Sequence, residues 1–176
     1  MIDFSRNHFE LFGLPLRYPI DGRLLEQTYR ALQGAVHPDR YAGATDTEKR
    51  LALQASARVN EAYRTLRDPV ARAEYLLSLH HIDATVENDM RLPVAFLSRQ
   101  IERREAMEEA GAARDLRALS LLIADVRGEA VDLAAEVARL LDAGDLNAAR
   151  LRVREWRFLV KVADDCDELR VADVDR

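Results

Sequence analysis

His37-Pro38-Asp39-Arg40 lies between two stretches of helical periodicity, and the first half of the chain reads as the frame that holds it. Pro38 has no amide hydrogen and pushes His37 out of the α region. Asp39 favours caps and turns, where its carboxylate accepts backbone N–H groups. The tetrapeptide therefore predicts a rigid, charged loop at a helix end. The same residues also serve as ordinary helix punctuation, so the flanking sequence decides.

Upstream, Asp21 is placed to cap a helix running to about Val36. Leu25, Tyr29, Leu32 and Val36 form one apolar stripe along it. Arg23, Gln27, Arg30 and Gly34 form a second row, offset by ~200° at ~100° per residue, that leads into His37. That row reads either as a solvated helix face or as a mildly basic docking strip. Downstream, Thr45 with Glu48 is a capping-box signature. It predicts a helix over about 46–67 with Leu51, Ala55, Val59, Ala62 and Leu66 buried. The two helices should pair antiparallel with the charged loop at the tip. A short apolar helix at residues 8–12 is stopped by Gly13 and Pro15. Asp68-Pro69 reads as the cap and first residue of another helix, about 69–80.

Residues 81–92 lack clear periodicity, so the domain boundary is placed there. Pro93 suits the first turn of a helix that continues to about Ala110, with Gly111 ending it. Phe96, Gln100, Arg103 and Met107 share one side of that helix, although Arg103 is an unexpected residue on a core face. Leu97, Ile101, Ser98, Glu102, Glu105, Glu108 and Glu109 occupy a contiguous arc elsewhere. A small apolar patch beside four carboxylates suits a partner with apolar and basic groups. Packing against the first domain is the alternative use for Leu97 and Ile101. Leu116, Leu119, Ile123, Val126, Ala130, Leu133, Val137 and Leu140 keep a 3-4 alternation, a coiled-coil-like seam. Gly144-Asp145 is a stop and a new cap. A last helix repeats the seam with Leu146, Ala149, Val153, Trp156, Val160 and Ala163, leaving Phe158 outside it. The expected architecture is all-α: a helical hairpin with short flanking helices over 1–80, a linker over 81–92, and an antiparallel three-helix bundle over 93–176.

Composition agrees. Of 176 residues, 48% are apolar and 32% charged, with seven glycines and five prolines, as in a helix-rich globular chain. No apolar run approaches the ~20 residues of a membrane span. The start, Met1-Ile2-Asp3-Phe4, lacks the pattern of a signal peptide, and the one cysteine, Cys166, fits a reducing compartment. A cytoplasmic location is expected. The net charge of −5 weighs against a nucleic-acid-binding module built on Arg23, Arg30 and Arg40. Four histidines and Cys166 do not make a zinc-ligand spacing. No phosphate loop, nucleophile motif or cofactor site is expected, and neither is an enzyme.

Taken together, Tyr29-Arg30, His37-Pro38-Asp39-Arg40, Val59-Asn60-Glu61-Ala62-Tyr63-Arg64-Thr65-Leu66, Asp68-Pro69 and Arg72-Ala73-Glu74-Tyr75 resemble a J domain. This module stimulates the ATPase of heat-shock chaperones. The whole chain, over about 8–170, resembles something narrower: the bacterial-type J co-chaperone of iron–sulfur cluster biogenesis. The residues that carry this are Phe9-Glu10-Leu11-Phe12-Gly13-Leu14-Pro15, Leu76-Leu77-Ser78-Leu79-His80, Phe96-Leu97 with Glu102 and Glu105, and Arg157-Phe158-Leu159. The resemblance implies two partners, a heat-shock-type chaperone ATPase and the cluster scaffold protein. It implies chaperone binding by His37, Pro38, Asp39, Arg40, Arg30 and Arg23. It implies scaffold binding by Leu97, Ser98, Ile101, Glu102, Glu105, Glu109 and Phe158, with Ser98 standing where a larger apolar residue is expected. A J-domain co-chaperone with a different client is the alternative.

Overall fold

A computed structural model describes residues 3–41, 43–84 and 92–174. Among these residues seven α-helices follow in order: α1 (His8–Leu11), α2 (Gly22–Val36), α3 (Asp46–Arg67), α4 (Pro69–Leu79), α5 (Val94–Ala112), α6 (Leu116–Asp142) and α7 (Leu146–Val174). No strand occurs among the described residues. The chain divides into two compact units, Met1–Leu76 and Leu77–Arg176. The division thus falls inside α4, short of the expected domain end at 80. Most of the expected linker, residues 85–91, lies outside the described residues.

Side-chain oxygens set the helix starts. Asp21 accepts the N–H groups of Arg23 and Leu24 at 2.9 and 3.2 Å. Thr45 and Glu48 exchange reciprocal bonds as a capping box, and Asn7 and Glu10 do the same ahead of α1. Each satisfies a donor that the first turn leaves without a helical partner. Asp68 accepts from Ala71 at 2.8 Å, so Asp68-Pro69 both ends α3 and starts α4.

In the first unit α2 and α3 run antiparallel. Tyr29 stacks on Tyr63 with centroids 3.9 Å apart, and the Tyr29 hydroxyl donates to Asn60 at 3.0 Å. The Tyr63 hydroxyl donates to Glu26. That bond holds the Glu26 carboxyl below its usual pKa range and is the first cause of the raised Tyr63 phenol. Behind this polar clasp, Leu25, Ala55, Val59, Ala62 and Leu66 are buried with Phe9 and Phe12. Each large side chain contributes roughly 1.5–3 kcal/mol. The N-terminal half of α4 closes the unit: Arg72 donates to the Leu66 carbonyl at 2.6 Å, and its guanidinium sits 4.8 Å from the Tyr18 ring centre.

In the second unit α5, α6 and α7 form an antiparallel three-helix bundle. Ion pairs link Arg99 and Arg103 of α5 with Glu129 and Asp125 of α6, and Arg127 and Glu136 of α6 with Asp167 and Arg152 of α7. Residue numbers rise on one helix as they fall on the next. On α6 the seam residues Leu119, Ile123, Val126, Leu133, Val137 and Leu140 are buried as the periodicity predicts, while Ala130 is half-buried and Leu116 at the start is exposed. On α7 the row departs from the expectation. Ala149, Val153, Trp156 and Ala163 are buried as expected, but Leu159 and Cys166 are buried too and Val160 is exposed, because α7 packs against α5 as well as α6 and its buried face turns toward the gap between them. The Cys166 thiol is pushed up in pKa, first by burial and then by Asp165 and Asp167. Two further expectations are corrected. Gly111 lies inside α5, which runs on to Ala112. The reversal is made by Arg114 at φ 53°, after which Asp115 caps α6 through Arg117 and Ala118. Pro93 is the N-cap of α5 and not part of its first turn.

His8 carries a consequence for pH. Its ring is buried and stacked 4.1 Å from that of Tyr75, and its Nδ1 has no hydrogen-bond partner among the described residues. Burial, followed by the nearby Arg58, lowers its pKa to about 4. A histidine held neutral contributes stability fully above its unfolded pKa near 6.5, and loses it as pH falls toward the folded value. The ceiling is about 3 kcal/mol at ~1.4 kcal/mol per unit. Denaturant titrations of the full chain between pH 6.5 and 4.5 are expected to show falling stability. His8→Phe, which keeps the stack on Tyr75, is expected to flatten that slope.

Candidate functional site

Two exposed surfaces gather the residues singled out above. The first is the hairpin tip. His37 ends α2 with φ −58° and ψ 128°, the extended conformation a following proline favours. Pro38–Tyr41 then form one 3₁₀ turn where a rigid, non-helical loop was expected. A proline in the first position needs no N–H there and already has the right φ. Two side-chain bonds pin the turn, beside the backbone bond from the Arg40 N–H to the His37 carbonyl at 3.1 Å. The Asp39 N–H donates to His37 Nδ1 at 3.3 Å, and the Arg40 guanidinium reaches back to the Gly34 carbonyl at 3.1 Å. The Asp39 side chain stays 89% exposed, with its carboxylate 3.5 Å from His37 Nδ1.

The basic strip beside the tip is weaker than its residue types suggest. Arg23, Gln27, Arg30 and Gly34 are all exposed. Arg30, however, pairs with Glu26 one turn back at 3.0 Å, so part of its charge is already neutralised. Periodicity misses this because Glu26 belongs to neither stripe. Also missed is a groove of about 380 Å³ beside the turn, lined by Phe4, Leu32, Val36, Tyr41, Leu51 and Ala55 among others.

The second surface is the outer face of α5. Phe96, Gln100 and Ala110 point inward and are buried. Outward lie Leu97, 39% exposed, and Ile101, 60% exposed, with Phe158 of α7 at 37%. Phe158 meets Phe96 edge-on, ring centres 5.8 Å apart, which holds its ring at the surface beside α5. Ser98, Glu102, Glu105 and Glu109 are exposed on the same face. Glu108 pairs with Arg104 at 3.0 Å, so three carboxylates of the arc, not four, face solvent without an ion pair among the described residues. Val94, also outward and exposed, is a residue the sequence reading passed over; its place one turn before Ser98 was the available signal. Among the described residues no cluster of His, Cys, Asp and Glu is arranged to hold a metal ion. No helix there is long and apolar enough to cross a membrane.

Comparison with known proteins places these surfaces in context. Residues 92–167 match the family model described as the HSCB C-terminal oligomerisation domain. A Burkholderia multivorans protein named co-chaperone protein HscB homolog is 46% identical over 165 residues, 94% of each chain. Its namesake in Paraburkholderia phymatum is 45% identical over 163 residues, 93% of each. Among solved structures, the chaperone HscB from Vibrio cholerae matches with a TM-score of 0.83 at 36% identity, covering 93% of this chain and 96% of that one. The human co-chaperone protein HscB matches with a TM-score of 0.88 at 26% identity, covering 94% and 83%.

The α5 face depends on Arg103, the residue that looked out of place on a core side. Its side chain is 12% exposed and bonds Asp125 at 2.8 Å and Glu129 at 2.6 Å. Burial works against the charge, and the two carboxylates outweigh it, so the guanidinium pKa rises. Removing one partner of such a cluster strands the others. Arg103→Met is expected to cost about 1–3 kcal/mol in the unfolding of the chain, read from the denaturant midpoint, with partly exposed Asp125 limiting the loss.

Proposed function

The chain belongs to the HscB family of co-chaperones, and on that footing we propose that it acts in iron–sulfur cluster assembly as a two-armed adaptor. One arm, a J domain over residues 1–80, docks on a heat-shock-type chaperone and promotes its ATP hydrolysis. The other, the bundle over 93–176, binds the protein on which clusters are assembled and presents it to the chaperone. The observation that carries this reading is the tip: an almost fully exposed Asp39 on a turn held from both sides by His37 and Arg40.

Asp39 works by charge and geometry. An ionised carboxylate accepts only, and two oxygens match the fork of an arginine on the chaperone. A turn already pinned loses little conformational freedom on docking. His37 belongs to the turn's own bonding, while Arg40 anchors it to the end of α2. Arg23 adds long-range attraction to an acidic partner face, and Arg30 adds less because Glu26 offsets it. On the bundle, Leu97, Ser98, Ile101 and Phe158 give the apolar part of the scaffold surface. Glu102, Glu105 and Glu109 give the acidic part.

Asp39→Asn is expected to abolish stimulation of the chaperone's ATPase in a steady-state assay while leaving helicity and melting unchanged; stimulation at the wild-type level would sink the adaptor reading. Leu97→Ala combined with Phe158→Ala is expected to weaken scaffold binding at least tenfold by calorimetry. Leu97→Ala alone separates surface loss from any loosening of the Phe96 contact.

A further inference from the structure

Val94 opens α5 and is 79% exposed, more than Leu97, Ile101 or Phe158. At ~100° per residue Val94, Leu97 and Ile101 lie within ~60° of one another on the side opposite the inward row. They follow steps of three and four, the spacing of a short docking seam. The next turns on that face bring Glu105 and Glu109, with Glu102 on the flank. The face is therefore graded along its length: apolar near Pro93, acidic toward Ala112.

We infer that Val94 is a specificity residue of the scaffold-docking surface, and that the scaffold lies along α5 with an apolar segment at the Val94 end and basic groups at the Glu109 end. This rests on the adaptor reading above. The apolar stretch and the carboxylates share one unobstructed face, so one partner covers both. Three exposed carboxylates, with no ion pair among the described residues, call for basic groups on it. Val94 to Glu109 spans ~22 Å of helix at ~1.5 Å per residue, the length of a four-turn helix or a short extended segment. Ser98, one turn after Val94, is too small to fill the middle of the apolar end. Val94 supplies the side chain that an apolar partner group meets there.

The test is the affinity of the full chain for the cluster scaffold protein, measured by calorimetry at low and high salt. Val94→Ala is expected to weaken binding about threefold and Val94→Asp at least tenfold, by similar ratios at both salt concentrations. An aspartate suits the first turn of a helix, so the fold is retained; an unchanged melting curve checks this. The sign is decisive, because a face read by charge alone would bind more tightly with Val94→Asp. Glu109→Gln is expected to weaken binding at low salt and much less at high salt. Unchanged or tighter binding by Val94→Asp, with Leu97→Ala still weakened, overturns this inference and leaves the adaptor reading standing. Failure of the wild-type chain to bind the scaffold overturns the adaptor reading and this inference with it.

Discussion

Pro38 cannot donate a backbone hydrogen bond, and it denies its neighbour His37 a helical backbone. From that constraint the hairpin tip follows. α2 must stop at Val36, and the chain must turn before α3 can begin behind its Thr45 cap. The stop would be of little use if the two helices could slide. The stacked pair Tyr29–Tyr63, flanked by the bonds of Glu26 and Asn60, fixes their register. The turn is then presented at one height relative to both helices, and only its own short-range bonds are needed to orient Asp39.

Both units obey one division of labour. A helix turns one row of side chains inward and leaves the opposite row exposed. In α2 the inward row ends at Val36 and the outward row at the tip. In α5 the inward row includes Phe96, Gln100 and Ala110, and the outward row carries Leu97 and Ile101. The two cases differ in what secures the inward row. The hairpin uses apolar burial topped by a polar clasp of tyrosine hydroxyls on Asn60 and Glu26. α5, whose inward row includes two polar residues, relies on a cation shared between two carboxylates of α6. Phe158 joins the two habits, since its edge contact with Phe96 ties a surface ring to the core.

Helix starts were the most legible part of the fold. Asp21, Thr45 with Glu48, Asp68 and Asp145 act locally, through bonds to N–H groups two or three residues on, so short-range sequence carries the whole signal. Ends and faces were less legible. Gly111 had the composition of a terminator, yet the α5 reversal is made by Arg114 in the left-handed region, a cost that tertiary packing absorbs and local propensity does not register. The seam of α7 was counted as if it met one neighbour. With two neighbours, Leu159 is buried and Val160 is not. At the candidate site, the tip and the α5 arc could be read from motif and periodicity. The pairing of Arg103 with α6 could not, because its partners lie on another helix, whereas Glu26 stands four residues before Arg30 and was within reach of the same helical spacing.

The sealed position of Cys166 has a practical corollary. The chain's one sulfhydryl is fully enclosed by the bundle and resists ionisation, so the folded molecule offers little thiolate to alkylating agents. A reporter dye or spin label attached at an engineered surface cysteine would therefore mark that position alone, with the native residue left in place. Binding at a labelled position can then be watched on the intact polypeptide.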